Sequence, residues 1–130
     1  MLLLPPDANR EINALQGAAT IVSQKSLWEG FGLTVAEAMW KGKPVIIGFA
    51  GGITVQFAYG ATGFTVNPAE RAAFRTHYLL DNPEVMTEMR EDARENVWRN
   101  FLITRHRGDW LALMSYPGPK ARKEAGPYVT

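Results

Sequence analysis

Three short apolar or β-branched runs punctuate the chain: Thr20-Ile21-Val22, Val45-Ile46-Ile47 and Gly63-Phe64-Thr65-Val66. Runs this short, bounded by turn residues, predict strands buried in a parallel sheet. Between and after them the apolar positions recur at helical spacing. Ile12, Leu15 and Ala19 share one face of a helix that Asp7 or Asn9 can cap. A second helix opens near Gly32-Leu33 and ends at Lys41-Gly42. There Gly42 suits the left-handed position beyond a helix, and Lys43-Pro44 blocks continuation. Asn67-Pro68 and Asn82-Pro83 each place a cap before a proline, so each predicts a helix start. The first of these helices runs to about Leu80. The second puts Met86, Met89, Ala93 and Val97 on one face and ends near Phe101. Thr104 can cap a last helix carrying Trp110, Leu111, Leu113 and Met114. Residues 53 to 63 are ambiguous, with a helical turn around Val55 to Ala58. Leu2 to Leu4 could end a further strand, stopped by Pro5-Pro6.

Strand, helix, strand, then a glycine loop is the order of an α/β fold. The expectation is a partial Rossmann-like, three-layer parallel sheet with three or four strands, fewer than a complete doubly wound domain carries. The expected division is a domain over residues 1–115. A tail over residues 116–130, rich in proline, glycine and lysine, should be flexible.

Composition narrows the functions. The chain has 130 residues with 46% hydrophobic and 21% charged, enough for one packed core. A net charge of +1 argues against nucleic acid as a main partner. There is no cysteine, which excludes a disulfide framework and fits a reducing, cytoplasmic setting. No run reaches the roughly 20 apolar residues of a membrane span. The apolar start is too short for a signal peptide.

Candidate chemistry gathers in Glu29-Gly30-Phe31-Gly32-Leu33-Thr34-Val35-Ala36-Glu37. In open parallel sheets ligands sit beyond the carboxyl ends of the strands, and this stretch follows one predicted strand. The Gly48–Gly52 loop follows the next. The free N–H groups of Gly32, Leu33 and Thr34 at a helix start form an anion site suited to a phosphate or pyrophosphate. Gly30 and Gly32 allow close backbone approach. Glu37, one turn in, leans toward the helix start and can take both hydroxyls of a ribose. Glu29 is placed for a second diol, on a sugar. Two polyol readers around a diphosphate grip suggest a nucleotide sugar. A pair of glutamates also arises by chance, and Glu37 could be a surface residue and Gly51-Gly52 a simple turn. Trp40, Trp98 and Trp110 read as core or interface. His77, His106, Ser23, Ser26 and Ser115 have no catalytic context, so neither a metal site nor a catalytic histidine is expected.

The Glu29 to Glu37 stretch resembles the E-x7-E motif of retaining family 4 glycosyltransferases, enzymes of the GT-B fold with two Rossmann-like lobes. Leu4 to Gln16, Gln24 to Ser26, Ala38 to Val45 and Asn100 to Arg105 are similar to the branch of glycosyltransferring trehalose synthases and trehalose phosphorylases. The likeness runs over about residues 3–115 and implies part of the C-terminal, donor-binding lobe. It implies catalytic contact of Glu29 with the donor glucose and a ribose role for Glu37. Phe31, Gly32, Leu33, Thr34, Gly51 and Gly52 are implied along the sugar–diphosphate passage, with Ile53 nearby. The implied reaction moves glucose from ADP-glucose or UDP-glucose to glucose, forming trehalose without an essential metal or cofactor. The family's leaving-group arginine and lysine belong to earlier strands, so this chain alone is expected to be inactive and to associate through exposed edges or apolar faces. Phe49-Ala50 before Gly51, and Ala58-Tyr59 before Gly60, depart from the family pattern. A non-catalytic nucleotide- or sugar-binding module, or a structural unit with a vestigial site, stays open beside the enzyme reading.

Overall fold

A computed structural model describes residues 3–5, 7–25, 28–56, 58–67 and 69–117. Leu2, Ser26, Pro68 and most of the expected 116–130 tail lie outside these residues. Among the described residues three parallel strands form one sheet in the order β1 (Val22–Gln24), β2 (Val45–Gly48), β3 (Gly63–Val66). The register pairs Val22 with Val45 and Ile46 with Phe64. Among the described residues five helices accompany it: α1 (Asn9–Ala18), α2 (Leu33–Trp40), α3 (Ala69–Asp81), α4 (Pro83–Asn100) and α5 (Ile103–Met114).

The central strand explains the layering. All four residues of β2 are buried, and successive side chains point to opposite faces. Val45 and Ile47 pack with Val35, Ala38 and Met39 of α2 and with Ala93 and Val97 of α4. Ile46 packs on the other face with Phe64 and Val66 of β3, Leu79 of α3 and Met89 of α4. Helix-covered faces on both sides are why β2 reads as unbroken Val-Ile-Ile rather than as an alternation. Full burial of each such side chain stabilises the fold by about 1.5–3 kcal/mol.

Local chemistry sets the ends of α2. Gly32 is its N-cap, in the left-handed region at φ 81°. At the other end Gly42 (φ 66°) gives its N–H to the Met39 carbonyl (2.9 Å), and Lys43 gives its N–H to Ala38 (3.0 Å). This 6→1 and 5→2 pair closes the helix as its glycine predicts. Gly32 and Gly42 thus fix α2 between the loop after β1 and the start of β2.

Some expectations shift. The first strand spans Val22–Gln24 rather than Thr20–Val22, because its partners are set by pairing with Val45 to Ile47. Leu3 and Leu4 form no strand. Ala8 is the N-cap of α1 and Leu102 that of α5, and neither helix has a side-chain cap. Thr104 therefore lies inside its helix. Helix α1 buries Gln16, while Ile12 is half-covered and Leu15 is exposed. The apolar face of α1 is thus only partly covered beside β1. Trp40, Trp98 and Trp110 are exposed rather than core. No helix of the described residues is long and apolar enough to cross a membrane.

Candidate functional site

The site lies beyond the carboxyl ends of β1 and β2, where two loops touch. After β1 the chain passes Glu29 and Gly30 into α2. After β2 it enters a 3-10 segment, Gly51–Gln56. The loops meet backbone to backbone, and the Gly52 N–H donates to the Glu29 carbonyl at 3.3 Å. A Cβ built on Gly52 would lie 1.7 Å from the Gly30 carbonyl oxygen, and one on Gly51 would lie 2.3 Å from that of Glu29. Gly51 also holds φ 42°. This contact admits no side chain on either residue, so the glycine pair has a geometric cause beyond turning the chain.

Glutamine and asparagine side chains brace the loops from behind. Gln24, the last residue of β1, donates from Nε2 to Glu29 Oε2 at 2.9 Å. The Gly30 N–H donates to Glu29 Oε1 at 3.1 Å. The Glu29 carboxylate is thereby oriented at both oxygens, each with acceptor capacity left over. Gln56, almost fully buried, donates from Nε2 to the Phe31 carbonyl. The Gln56 backbone carbonyl accepts from Asn96 Nδ2 of α4 at 2.8 Å. The Phe31 ring meets Phe101 edge to face, with centroids 5.7 Å apart. Loop, 3-10 segment and α4 are therefore joined through named polar and aromatic contacts.

At the start of α2, Val35 gives its N–H to the Gly32 carbonyl at 2.9 Å. The N–H groups of Leu33 and Thr34 precede that bond, and a helix provides such groups no acceptor of its own. Both residues are exposed, and no side chain caps the helix. The helix dipole adds partial positive charge at this point. Gly32 is pressed against Ile53, whose Cγ1 would sit 2.8 Å from an added Cβ.

Glu37 is exposed one turn further on. Its Oε2 lies 3.5 Å from Gln16 Nε2, which also reaches the Thr34 carbonyl at 3.4 Å. Lys41 Nζ donates to Gln16 Oε1. Glu37 lines a concavity of about 360 Å³ with Asn9, Ile12, Asn13, Trp40 and Lys41. Its carboxylate thus faces the polar cleft between α1 and α2. The structure brings Glu29, Phe31, Gly32, Gly51 and Gly52 into one cluster, with Leu33 and Thr34 at its helix start. It places Glu37 on the adjoining cleft.

Gln16, Gln24, Gln56 and Asn96 were not among the residues singled out from the sequence. Gln24 sits five positions before Glu29 and Gln56 four after Gly52. That proximity is the one signal by which the sequence could have pointed to these two, and Gln16 and Asn96 carry none.

Residues 3–96 match the family described as glycosyl transferases group 1. The chain belongs to this family. Over 109 residues it is 50% identical to a trehalose synthase of Pyrococcus horikoshii, covering 84% of this chain and 26% of that enzyme. It is 31% identical to a trehalose phosphorylase of Pleurotus sajor-caju, covering 87% of this chain and 15% of that protein. The chain thus spans about a quarter of the length of the trehalose synthases it matches. Among solved structures, Anabaena Alr3699/HepE in complex with UDP and glucose superposes with a TM-score of 0.70 at 25% identity, covering 82% of this chain and 30% of that one. The C-terminal domain of a Francisella tularensis group 1 glycosyl transferase gives 0.70 at 26% identity, covering 78% of this chain and 53% of that domain. The group 1 lobe is therefore present here in part, as a Rossmann-like sheet with the E-x7-E stretch at its open end.

Proposed function

We propose that this chain is the donor-binding part of a retaining hexosyltransferase that forms trehalose from a nucleoside diphosphate glucose, ADP-glucose or UDP-glucose, and glucose. The observation that carries the reading is the contact between Gly51-Gly52 and Glu29-Gly30 beside the uncapped start of α2. It brings a carboxylate beside a pair of helix N–H groups, with a second carboxylate on the adjoining cleft between α1 and α2. In this reading Glu29, held by Gln24 and Gly30, takes donor-glucose hydroxyls. The Leu33 and Thr34 N–H groups take the diphosphate, lined by Phe31 and Gly32, and Glu37 takes the ribose diol. The helix dipole favours the departing diphosphate, as fixed dipoles aimed at developing charge do, and the reading assigns no metal.

Transfer by this chain alone is proposed to be negligible. Trehalose formation needs cationic partners for the diphosphate and a wall for the acceptor, supplied by further segments of a complete enzyme. Calorimetry with ADP, UDP and both glucose donors tests the binding half. Binding of at least one ligand is expected, with roughly tenfold or greater weakening in Glu37→Ala, about 1.4 kcal/mol. Binding that is indifferent to Glu37→Ala and to Glu29→Gln would sink the assignment of the site. Chromatography for trehalose tests the other half, and rapid product formation by the isolated chain would refute the need for further segments.

A further inference from the structure

The carboxyl end of β3 opens onto a separate cavity that shares no residue with the Glu29–Glu37 site. It holds about 210 Å³ and is lined by Tyr59, Thr65, Val66, Arg71, Phe74 and Arg75. Arg75 is held in place by aromatic rings. Its Cζ sits 4.4 Å from the Phe64 centroid, 5.7 Å from Phe74 and 5.9 Å from Tyr78. Its Nη2 donates to Tyr59 Oη at 2.9 Å. These contacts orient the guanidinium without neutralising its charge.

Arg71 stands four residues earlier on the same helix face and is exposed. Like charges at that spacing repel. The ion pairs found among the described residues are Arg99–Glu95 and Arg105–Asp109, so neither Arg71 nor Arg75 has a carboxylate partner there. Arg71 belongs to the first turn of α3, where the helix dipole adds to its charge, and Arg75 follows in the second. The acidic residue of the first turn, Glu70, is not part of the lining. Thr65 and Tyr59 bring hydroxyl-bearing side chains to the wall. Phe74 and Tyr59 are exposed at 65% and 61%, offering ring faces beside the charge.

We propose that this cavity binds a phosphate monoester of a small ring-bearing molecule. Arg71 and Arg75 take the phosphate oxygens, as planar guanidinium forks do. The rings of Phe74 and Tyr59 support the body of the molecule. A packing role accounts for Arg75 alone. It does not account for a second unpaired arginine one turn away, aimed at the same cavity.

Thermal-shift titration of the full chain with glucose 6-phosphate, inorganic phosphate and sodium chloride at matched ionic strength tests the site. The expected result is a saturable rise in melting temperature with the ester, at roughly tenfold lower concentration than with inorganic phosphate. Arg71→Gln should weaken the ester by about tenfold or more, the loss of one charge-assisted contact. Because Arg71 is exposed, this variant should keep its fold, which far-UV circular dichroism checks. Arg99→Gln, remote from the cavity, should leave the titration unchanged. The proposal is overturned by a shift no larger than that of chloride, by an undiminished shift in Arg71→Gln, or by equal affinity for phosphate and ester. Ester binding lost in Glu37→Ala instead would assign it to the donor site and equally overturn the proposal.

Discussion

At the scale of single residues, the glycine pair after β2 is the most constrained feature of the site. Gly52→Ala puts a methyl 1.7 Å from the Gly30 carbonyl oxygen, which is backbone and cannot rotate away. The expected loss is at least about 1–3 kcal/mol, as for overpacking in a closed interior. Gly30→Ala, with nothing within 4 Å of the added carbon, should stay near native stability. Urea unfolding of the two variants makes the comparison, and equal midpoints would remove the backbone contact as an argument. The sequence marked Gly51-Gly52 and the two glutamates because glycine and carboxylate carry recognisable chemistry. It could not show that Gly52 closes onto Gly30, twenty-two positions earlier in the chain. Nor could it show the supports of Glu29 and Phe31. A glutamine such as Gln24 or Gln56 reads as an ordinary polar residue until folding reveals its partner.

At the scale of elements, α4 does more than cover the sheet. Its buried residues Met89, Ala93 and Val97 were legible because they repeat at helical spacing and pack on both core clusters. Its polar contact with the site was not legible. Asn96 reaches the Gln56 carbonyl, and Gln56 in turn holds Phe31. This chain of contacts crosses forty positions of sequence at its first link and has no local pattern. Asn96→Ala should lower stability by about 1–3 kcal/mol, because it leaves a buried carbonyl without its donor. It should also speed hydrogen exchange at the amides of the 29–32 loop relative to those of β2. If exchange in the loop is unchanged while stability falls, Asn96 supports only the helix, not the site. The strands show a similar division. Val45 to Ile47 and Gly63 to Val66 were readable because burial on two faces demands continuous apolar residues. The three-residue β1 moved by two positions because only its pairing with β2 fixes where it lies.

At the scale of the whole molecule, the folded chain leaves more apolar surface uncovered than its two core clusters suggest. Helix α5 has no buried residue, and Ile103, Trp110, Leu113 and Met114 form an exposed stripe at helical spacing. Among the described residues, strand β1 pairs with β2 alone and presents its other edge beside half-covered Ile12 and exposed Leu15. Either surface could draw a second molecule, one by apolar packing and the other by strand pairing. The helix should dominate. Trp110 is 52% exposed, so covering it removes on the order of half of the roughly 150–250 Å² that full burial of an aromatic takes from water, and Ile103, Leu113 and Met114 add to it, whereas β1 offers only three residues of backbone. Concentration-dependent self-association is therefore expected in sedimentation velocity. The double variant Trp110→Lys with Leu113→Glu should return the chain toward monomer, while Ser23→Lys on β1 should have a smaller effect. Because these positions are exposed, the variants should keep the native melting temperature when dilute. A monomeric native chain across the micromolar range would refute the argument, and a larger effect of Ser23→Lys would transfer the interface to the strand edge.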